Sequence, residues 1–357
     1  MLKIKKTILA ICVVFLILGI ASCTQTLQQE KQLPAQQKQA EKITDTKAKT
    51  KIGFLPITDH LLLGISKERD GANFKNLELE TTKFGDWATI SEALRSGNLD
   101  GAFLLAPLAY QSKLKDAPVK VVMLGHRDGS ALIVKVRDGI NTVKDLKGTT
   151  IAIPHRFSTH NFLLHLYTSQ NGLKYGEDFK TIEMPPPEMP SALARGDIDG
   201  FIVAEPFGAK AEIMGVGKIL VLSSQIWQNH PDCVLVMREE YLKEHPEAMD
   251  ELAVSLIKSG IFAEENRDEA VKIGAKFLGH SEEVLSKALK EPKERVTFYD
   301  LYPYKKEFER IQDYMADKMG LFPQKVNMDE LIDTSFAQRA YDKVGNESRA
   351  LKDKKRN

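Results

Sequence analysis

Residues 93–106 and 192–205 carry one phrase written twice, and no other feature constrains the fold of this chain as strongly. The first copy runs Ala93-Leu94-Arg95-Ser96-Gly97-Asn98-Leu99-Asp100-Gly101 and continues to Ala106-Pro107. The second runs Ala192-Leu193-Ala194-Arg195-Gly196-Asp197-Ile198-Asp199-Gly200 and continues to Glu205-Pro206. The offset, from 93 to 192, is 99, and it also aligns Ile52-Gly53-Phe54 with Ile151-Ala152-Ile153. Two matches at one offset predict two similar lobes, each opening with a strand and a loop into a helix. Paired lobes of this kind enclose a cleft.

The local patterns agree. Lys51–Pro56, Leu77–Thr81, Leu99–Leu105, Val119–Leu124 and Ala131–Val136 read as strands in the first half, with a helix over Trp87–Arg95. Gly97 stands where a left-handed residue closes that helix. The second half repeats the order: strand Thr150–Ile153, helix from Thr159 with Ser158 as N-cap, strand Thr181–Met184, helix Ser191–Arg195 stopped by Gly196, and strand Ile198–Ala204. Strands alternating with helices predict an α/β sheet in each lobe. Leu220–Leu222 and Val234–Met237 add strands where the chain returns. Beyond Tyr241 the pattern is helical; Phe308, Ile311, Met315 and Met319 share one face, and Gly320 ends it. The expected architecture is a two-lobed binding-protein fold. Lobe 1 takes residues 49–136 and 235–345 with the C-terminal helices, and lobe 2 takes residues 137–234. A two-stranded hinge is expected near Val134–Asp138 and Pro231–Val236, where few residues need to rotate to close a cleft.

The ends of the chain speak to location. Lys3, Lys5 and Lys6 precede an apolar run from Ile8 to Ala21, short of the roughly 20 residues a membrane span needs. The run ends on Ile20-Ala21-Ser22-Cys23, which predicts a lipoprotein signal over 1–23 and lipidation of Cys23. Residues 24–48 hold seven glutamines and almost no large apolar groups, a composition that cannot fold alone. They read as a tether, and residues 346–357 read as a charged tail. The expected location is extracytoplasmic and lipid-anchored.

Composition removes several classes. Of three cysteines, only Cys233 lies within the body, so neither an intrachain disulfide nor a Cys-x-x-Cys site exists. Whether Cys233 is core or lines the cleft stays open. The formal charge of +1 falls to about −2 without the three leader lysines, which leaves no basic excess for nucleic acid. The chain contains no G-x-S-x-G, H-E-x-x-H, P-loop or G-x-G-x-x-G motif. His155, His160 and His165 are spaced by five and do not stack on one helix face, which argues against a histidine metal cluster. No cofactor and no metal ion are expected, and no enzymatic activity.

The candidate ligand residues follow from placement. Thr58, Asp59 and His60, and likewise Ser158, Thr159 and His160, follow a first strand and open a helix, whose N-terminus attracts anions. In open α/β sheets, ligands sit beyond the carboxyl ends of strands, so both loops should face the cleft. Trp87 offers an apolar wall with one N–H donor. His160 offers a donor. Glu205 stands where the first copy has Ala106; a buried carboxylate there is costly and must meet solvent, a cation or a ligand donor. Asp100 and Asp199, equivalent in both copies, read as scaffold.

Several stretches resemble the NMT1-like solute-binding lipoproteins of ABC importers for nitrate, sulfonate, taurine and bicarbonate. They are Thr159-His160-Asn161, Met184-Pro185-Pro186-Pro187-Glu188-Met189, Asp199-Gly200 through Glu205-Pro206-Phe207, Ile226-Trp227-Gln228-Asn229-His230-Pro231, and Leu331-Ile332-Asp333-Thr334-Ser335-Phe336-Ala337. The likeness spans roughly residues 50–345 and is nearest to the nitrate and bicarbonate branch. It implies a periplasmic-binding-protein fold that captures a small anion and docks on a membrane permease driven by a cytoplasmic ATPase. It further implies that Trp87, His160 and Glu205 border the ligand. Nitrate binders carry glutamines where this chain has Phe103 and Leu105, and a lysine near Cys233. An anion with an apolar portion, such as an organosulfonate, suits Phe103 better. The alternatives are an enzyme or binder for a small heterocycle, as in thiamine-pyrimidine synthesis, and a ligand sensor for a membrane partner.

Overall fold

The structure, a computed structural model, describes residues 47–136 and 139–345. The expected signal segment, Cys23, the tether up to residue 46 and the tail 346–357 lie outside the described residues. Among the described residues no helix is long and apolar enough to cross a membrane.

The strands run β1 (Ala48–Phe54), β2 (Leu77–Lys83), β3 (Gly101–Leu105), β4 (Val119–Leu124), β5 (Arg127–Asp128), β6 (Ser130–Lys135), β7 (Thr150–Ile153), β8 (Lys180–Glu183), β9 (Gly200–Ala204), β10 (Gly217–Leu222), β11 (Cys233–Arg238) and β12 (Val296–Thr297). The helices of the two repeats are α1 (Leu61–Arg69), α2 (Trp87–Arg95), α3 (Ala106–Leu114), α4 (Thr159–Gln170), α5 (Met189–Arg195) and α6 (Phe207–Ile213). Two five-stranded sheets form, in the orders β2-β1-β3-β11-β4 and β10-β6-β9-β7-β8. In each, the repeat's strands are parallel, and the antiparallel strand beside the last of them comes from a chain crossing: β11 beside β3, and β6 beside β9. β3 and β9 are buried along their whole length, which accounts for their unbroken apolar sequence.

The offset of the sequence repeat is also the offset of the register. Ile52 pairs with Gly101 in the first sheet and Ile151 with Gly200 in the second. The two repeat aspartates act alike: Asp100 accepts the Lys51 amide at 2.8 Å and Asp199 accepts the Thr150 amide at 2.7 Å. Gly97 and Gly196 both take φ near +80°, at +78° and +84°. These are scaffold contacts, as the doubled phrase implied. Asp199 also holds Lys135 at 2.8 Å, and the Thr150 amide is better shielded from water than that of Lys51. Replacing either aspartate with alanine should cost about 1–2 kcal/mol, more at Asp199, read as a shift in urea midpoint.

One boundary differs from expectation. β6 reads from sequence as a first-lobe strand, yet it pairs with β9 and β10 in the second sheet. The chain therefore leaves the first lobe between Leu124 and Ser130, rather than near Val134–Asp138, and returns between Leu222 and Cys233. A short apolar strand suits either sheet; only pairing decides.

The C-terminal helices secure the lobes. Pro246–Glu265 and Ser335–Val344 pack on each other and on α1 and β4. Helix Lys305–Asp317 packs against α3 of the first lobe and α4 of the second, burying Phe308, Ile311 and Met315 as their spacing predicts.

Candidate functional site

Both repeat strands end at a chain crossing. The amide of Ala106, just after β3, donates to Asp232 O at 3.0 Å. The amide of Glu205, 99 residues on and just after β9, donates to Gly129 O at 2.9 Å. The crossing segments Gly125–Gly129 and Asn229–Asp232 are thus fixed at the carboxyl ends of both central strands, where ligands collect in open α/β sheets. The loop after β1 joins them: Thr58 donates its amide (2.7 Å) and its hydroxyl (3.0 Å) to Glu205 O, tying the first lobe to the second.

This arrangement buries a polar cluster. Thr58, Asp59, His60, His126, Ser130, Ser158, Thr159, His160, Glu205, His230 and Asp232 are all inaccessible to solvent. Asp59 Oδ2 lies 2.8 Å from His126 Nε2, an ion-pair contact buried on both sides. Burial pushes the Asp59 carboxyl up and the His126 imidazole down. Their mutual attraction outweighs burial in both, leaving Asp59 below and His126 above its ordinary pKa. Cys233 completes a trio with these two, one ligand atom from each lying within 4.8 Å of the others. Burial and the two nearby aspartates drive the Cys233 thiol far above its usual pKa.

A second arm comes from α4. Ser130 Oγ donates to Asp232 Oδ2 at 2.7 Å and lies 2.9 Å from His160 Nε2. With the serine proton given to Asp232, His160 Nε2–H is the donor to Ser130. Burial lowers the His160 pKa, so the ring is neutral. Asp232 Oδ1 is buried without a partner. His60 Nδ1 lies 2.8 Å from the Leu55 amide and 3.1 Å from the Leu55 carbonyl, and burial lowers its pKa to about 3, so the ring is neutral. Its ring lies 5.2 Å from Phe103 and meets Trp87 edge-on at 5.9 Å. The donor Trp87 Nε1 and the ring nitrogen His60 Nε2 are buried without partners. Trp87 also lines a cleft of about 240 Å³ with Ser91, Gln111, Ser112 and Lys115 of the first lobe and His155 of the second.

Most of the expected residues therefore meet at one place: Thr58, Asp59, His60, Trp87, Phe103, Thr159 and His160. Three take unexpected parts. Thr58 and Asp59 do not cap α1; a 3-10 turn over Thr58–His60 intervenes, and Thr58 reaches across to Glu205 O instead. Ser158 does cap α4, accepting the Asn161 amide at 2.9 Å. Glu205 finds its cation within the protein: Arg295 Nε donates to it at 2.7 Å, and the Ala209 amide donates to its other oxygen at 2.9 Å. Its side chain is part of the frame. The local patterns of the sequence do not point to His126, Ser130, His230 or Asp232, and they leave Cys233 open. The available signal was the polar content of the segments 125–129 and 229–232, placed directly between apolar strands.

Residues 44–278 match the model of the NMT1-like family. The chain belongs to that family. Among solved structures, it is similar to the zinc-bound ligand-binding component of an ABC-type import system from Staphylococcus aureus. Identity there is 32%, covering 82% of this chain and 99% of that one, with a TM-score of 0.75. The periplasmic nitrate-binding protein NrtA of Synechocystis shares the fold at 19% identity and a TM-score of 0.78, covering 85% of this chain and 91% of that one. The nitrate/nitrite binding protein NrtA of Nostoc is 25% identical over 257 residues, 66% of this chain and 58% of that protein. The nitrate import ATP-binding protein NrtC of Synechocystis is 29% identical over 234 residues, 60% of this chain and 35% of that protein. The chain thus spans about a third to somewhat over half the length of these curated relatives.

Proposed function

We propose that this protein is the extracytoplasmic ligand-binding component of an ABC-type import system, without chemistry of its own. It would take a small solute where its two sheets meet and deliver it to a membrane permease served by a cytoplasmic ATPase. The observation that carries this reading is the buried polar cluster at the two chain crossings, built from both halves of the repeat. Ligand capture there is coupled to lobe closure, because the first-lobe loop 58–60 is bonded to the end of β9.

The cargo class read from family resemblance is a small oxyanion such as nitrate, bicarbonate or an organosulfonate. The unpartnered donor Trp87 Nε1 supports it, and the nitrate-binding relatives point the same way. Titration of purified protein with nitrate, bicarbonate, taurine and alkanesulfonates tests it. One of them should raise the melting temperature saturably, by the equivalent of about 2.7 kcal/mol at a hundredfold excess over Kd. It should also change Trp fluorescence in a manner lost in Trp87→Phe. Silence toward all four would sink the oxyanion reading. The zinc of the Staphylococcus aureus relative supports a metal ion as a second class of cargo.

Lipidation at Cys23 would hold the protein to the membrane. Cys23→Ser should then release it to the soluble fraction and abolish incorporation of labelled fatty acid.

A further inference from the structure

We propose that Asp59, His126 and Cys233 form a binding site for one first-row divalent transition-metal ion of the zinc type, with Asp232 beside it. This names a cargo for the site described above and rests on the reading of that site as a solute-binding one.

The argument begins with charge. Asp59 and Asp232 are both inaccessible to solvent, and their ion partners are histidines, at 2.8 Å (His126) and 3.3 Å (His160). The two buried guanidiniums nearby are engaged elsewhere: Arg127 with Glu307 at 2.9 Å, Arg295 with Glu205 and Glu212. Asp59 meets only the His126 imidazole, and Asp232 only a serine hydroxyl and the neutral His160 ring, so the buried carboxylates are short of positive charge. A bare oxyanion would add to the negative charge. A divalent cation would neutralise it.

Geometry supports the same occupant. Asp59 and His126 approach to 2.8 Å, the Cys233 thiol lies against the same carboxyl, and Asp232 Oδ1 is buried without a hydrogen bond. Ligand atoms around a tetrahedral zinc lie about 2.0–2.3 Å from the ion, so they stand about 3.3–3.7 Å from one another. The trio, mutually within 4.8 Å, needs shifts of only about 1 Å or less to reach that arrangement. Its positions are set by backbone. Asp59 sits on the tight turn after β1, where Gly125 lets the crossing approach: a Cβ at Gly125 would fall 2.7 Å from Asp59 O. Cys233 opens β11, and its carbonyl accepts the Gly125 amide at 2.8 Å.

The ligand set selects the ion. One carboxylate, one imidazole and one thiolate suit a borderline-soft metal, while calcium and magnesium demand oxygen ligands. The fourth position is left for Asp232 Oδ1 or a small ligand. Coordination requires the Cys233 thiol to lose its proton and the imidazolium of His126 to give up the proton on Nε2, so ion binding releases protons to solvent.

The test uses chelator-treated protein and two ions, zinc and cobalt(II). Isothermal titration should show one ion bound per chain, with calcium and magnesium in hundredfold excess failing to compete. The cobalt form should show a thiolate-to-metal charge-transfer band in the near ultraviolet. Cys233→Ser should remove that band while leaving the circular dichroism unchanged. Asp59→Asn and His126→Gln should each weaken zinc on the order of 100-fold, since losing even an outer partner of a metal ligand costs 10–100-fold. No stoichiometric binding, or a cobalt spectrum without the band, or zinc affinity unaltered in all three variants, would overturn the assignment. A response of the metal-free protein to an oxyanion, with no zinc bound, would leave the solute-binding reading standing and remove this inference alone.

Discussion

Arg295→Met is expected to destabilise the protein by about 3–5 kcal/mol, the penalty for stranding a buried charge. Arg295 is almost fully buried in the 3-10 turn Lys293–Arg295, far from the repeats in sequence. Its guanidinium grips Glu205 through Nε and Nη2, reaches Glu212 Oε2 at 2.8 Å, and donates to Glu291 O at 3.3 Å. Without it, Glu205 keeps only the Ala209 amide for a carboxylate that water cannot reach. Glu205→Gln alone should cost less, because Arg295 retains Glu212. Combining Glu205→Gln with Arg295→Met should recover much of the loss, since no charge is then left stranded. Urea unfolding of the three variants decides the matter: an Arg295→Met midpoint within about 1 kcal/mol of the parent would mean that the pair does not hold the lobe. The same variants separate frame from site. If Glu205 serves Arg295 rather than the ligand, Glu205→Gln should keep whatever solute response the parent shows.

The history of Glu205 shows what the sequence could and could not disclose. Its position was legible, because the repeat aligned it with Ala106 and marked it as the place where the copies diverge. The need for a partner was legible too, because a carboxylate at the end of an apolar strand must be compensated. The partner was not: Arg295 lies 90 residues away, and no periodicity links a residue in the C-terminal segment to the end of β9. The same limit explains the site. Asp59 and His160 are legible as candidates because each stands in the turn that opens a helix after a strand, a local pattern. His126, Asp232 and Cys233 converge only because two crossings run side by side, and that proximity is a property of the folded chain. The hinge position is not legible for a related reason. β6 satisfies the burial demands of either sheet, so its sequence does not say which one it joins. What the repeat fixed well was scaffold: Asp100 and Asp199, Gly97 and Gly196, and the register of β1 with β3 and of β7 with β9.

The repeat also sets up a comparison that tests the two sheets against each other. Gly101 and Gly200 open the equivalent strands β3 and β9, and alanine at either would be read from sequence as the same change. The surroundings predict otherwise. At Gly101 the added Cβ would lie 2.2 Å from Met237 Sδ and 2.9 Å from Ile52 Cδ1, both ends of flexible side chains. At Gly200 it would lie 2.6 Å from Ile133 O, a backbone atom held in the β6–β9 ladder, with Val134 Cγ1 and Ile151 Cδ1 at 3.2 and 3.0 Å behind it. A methionine can swing aside; a paired carbonyl moves only if the strand does. Gly101→Ala should therefore cost about 1 kcal/mol and Gly200→Ala about 3 kcal/mol, the upper end for overpacking. The shorter contact gives the smaller effect, which a distance-only argument would reverse. Denaturant midpoints for the two variants are enough to choose. The consequence reaches the site, because β9 leads directly into Glu205, whose amide holds Gly129 and whose carbonyl holds Thr58. A displaced β9 should loosen the contact between the two crossings, so Gly200→Ala should also weaken solute binding, while Gly101→Ala should leave it near the parent value.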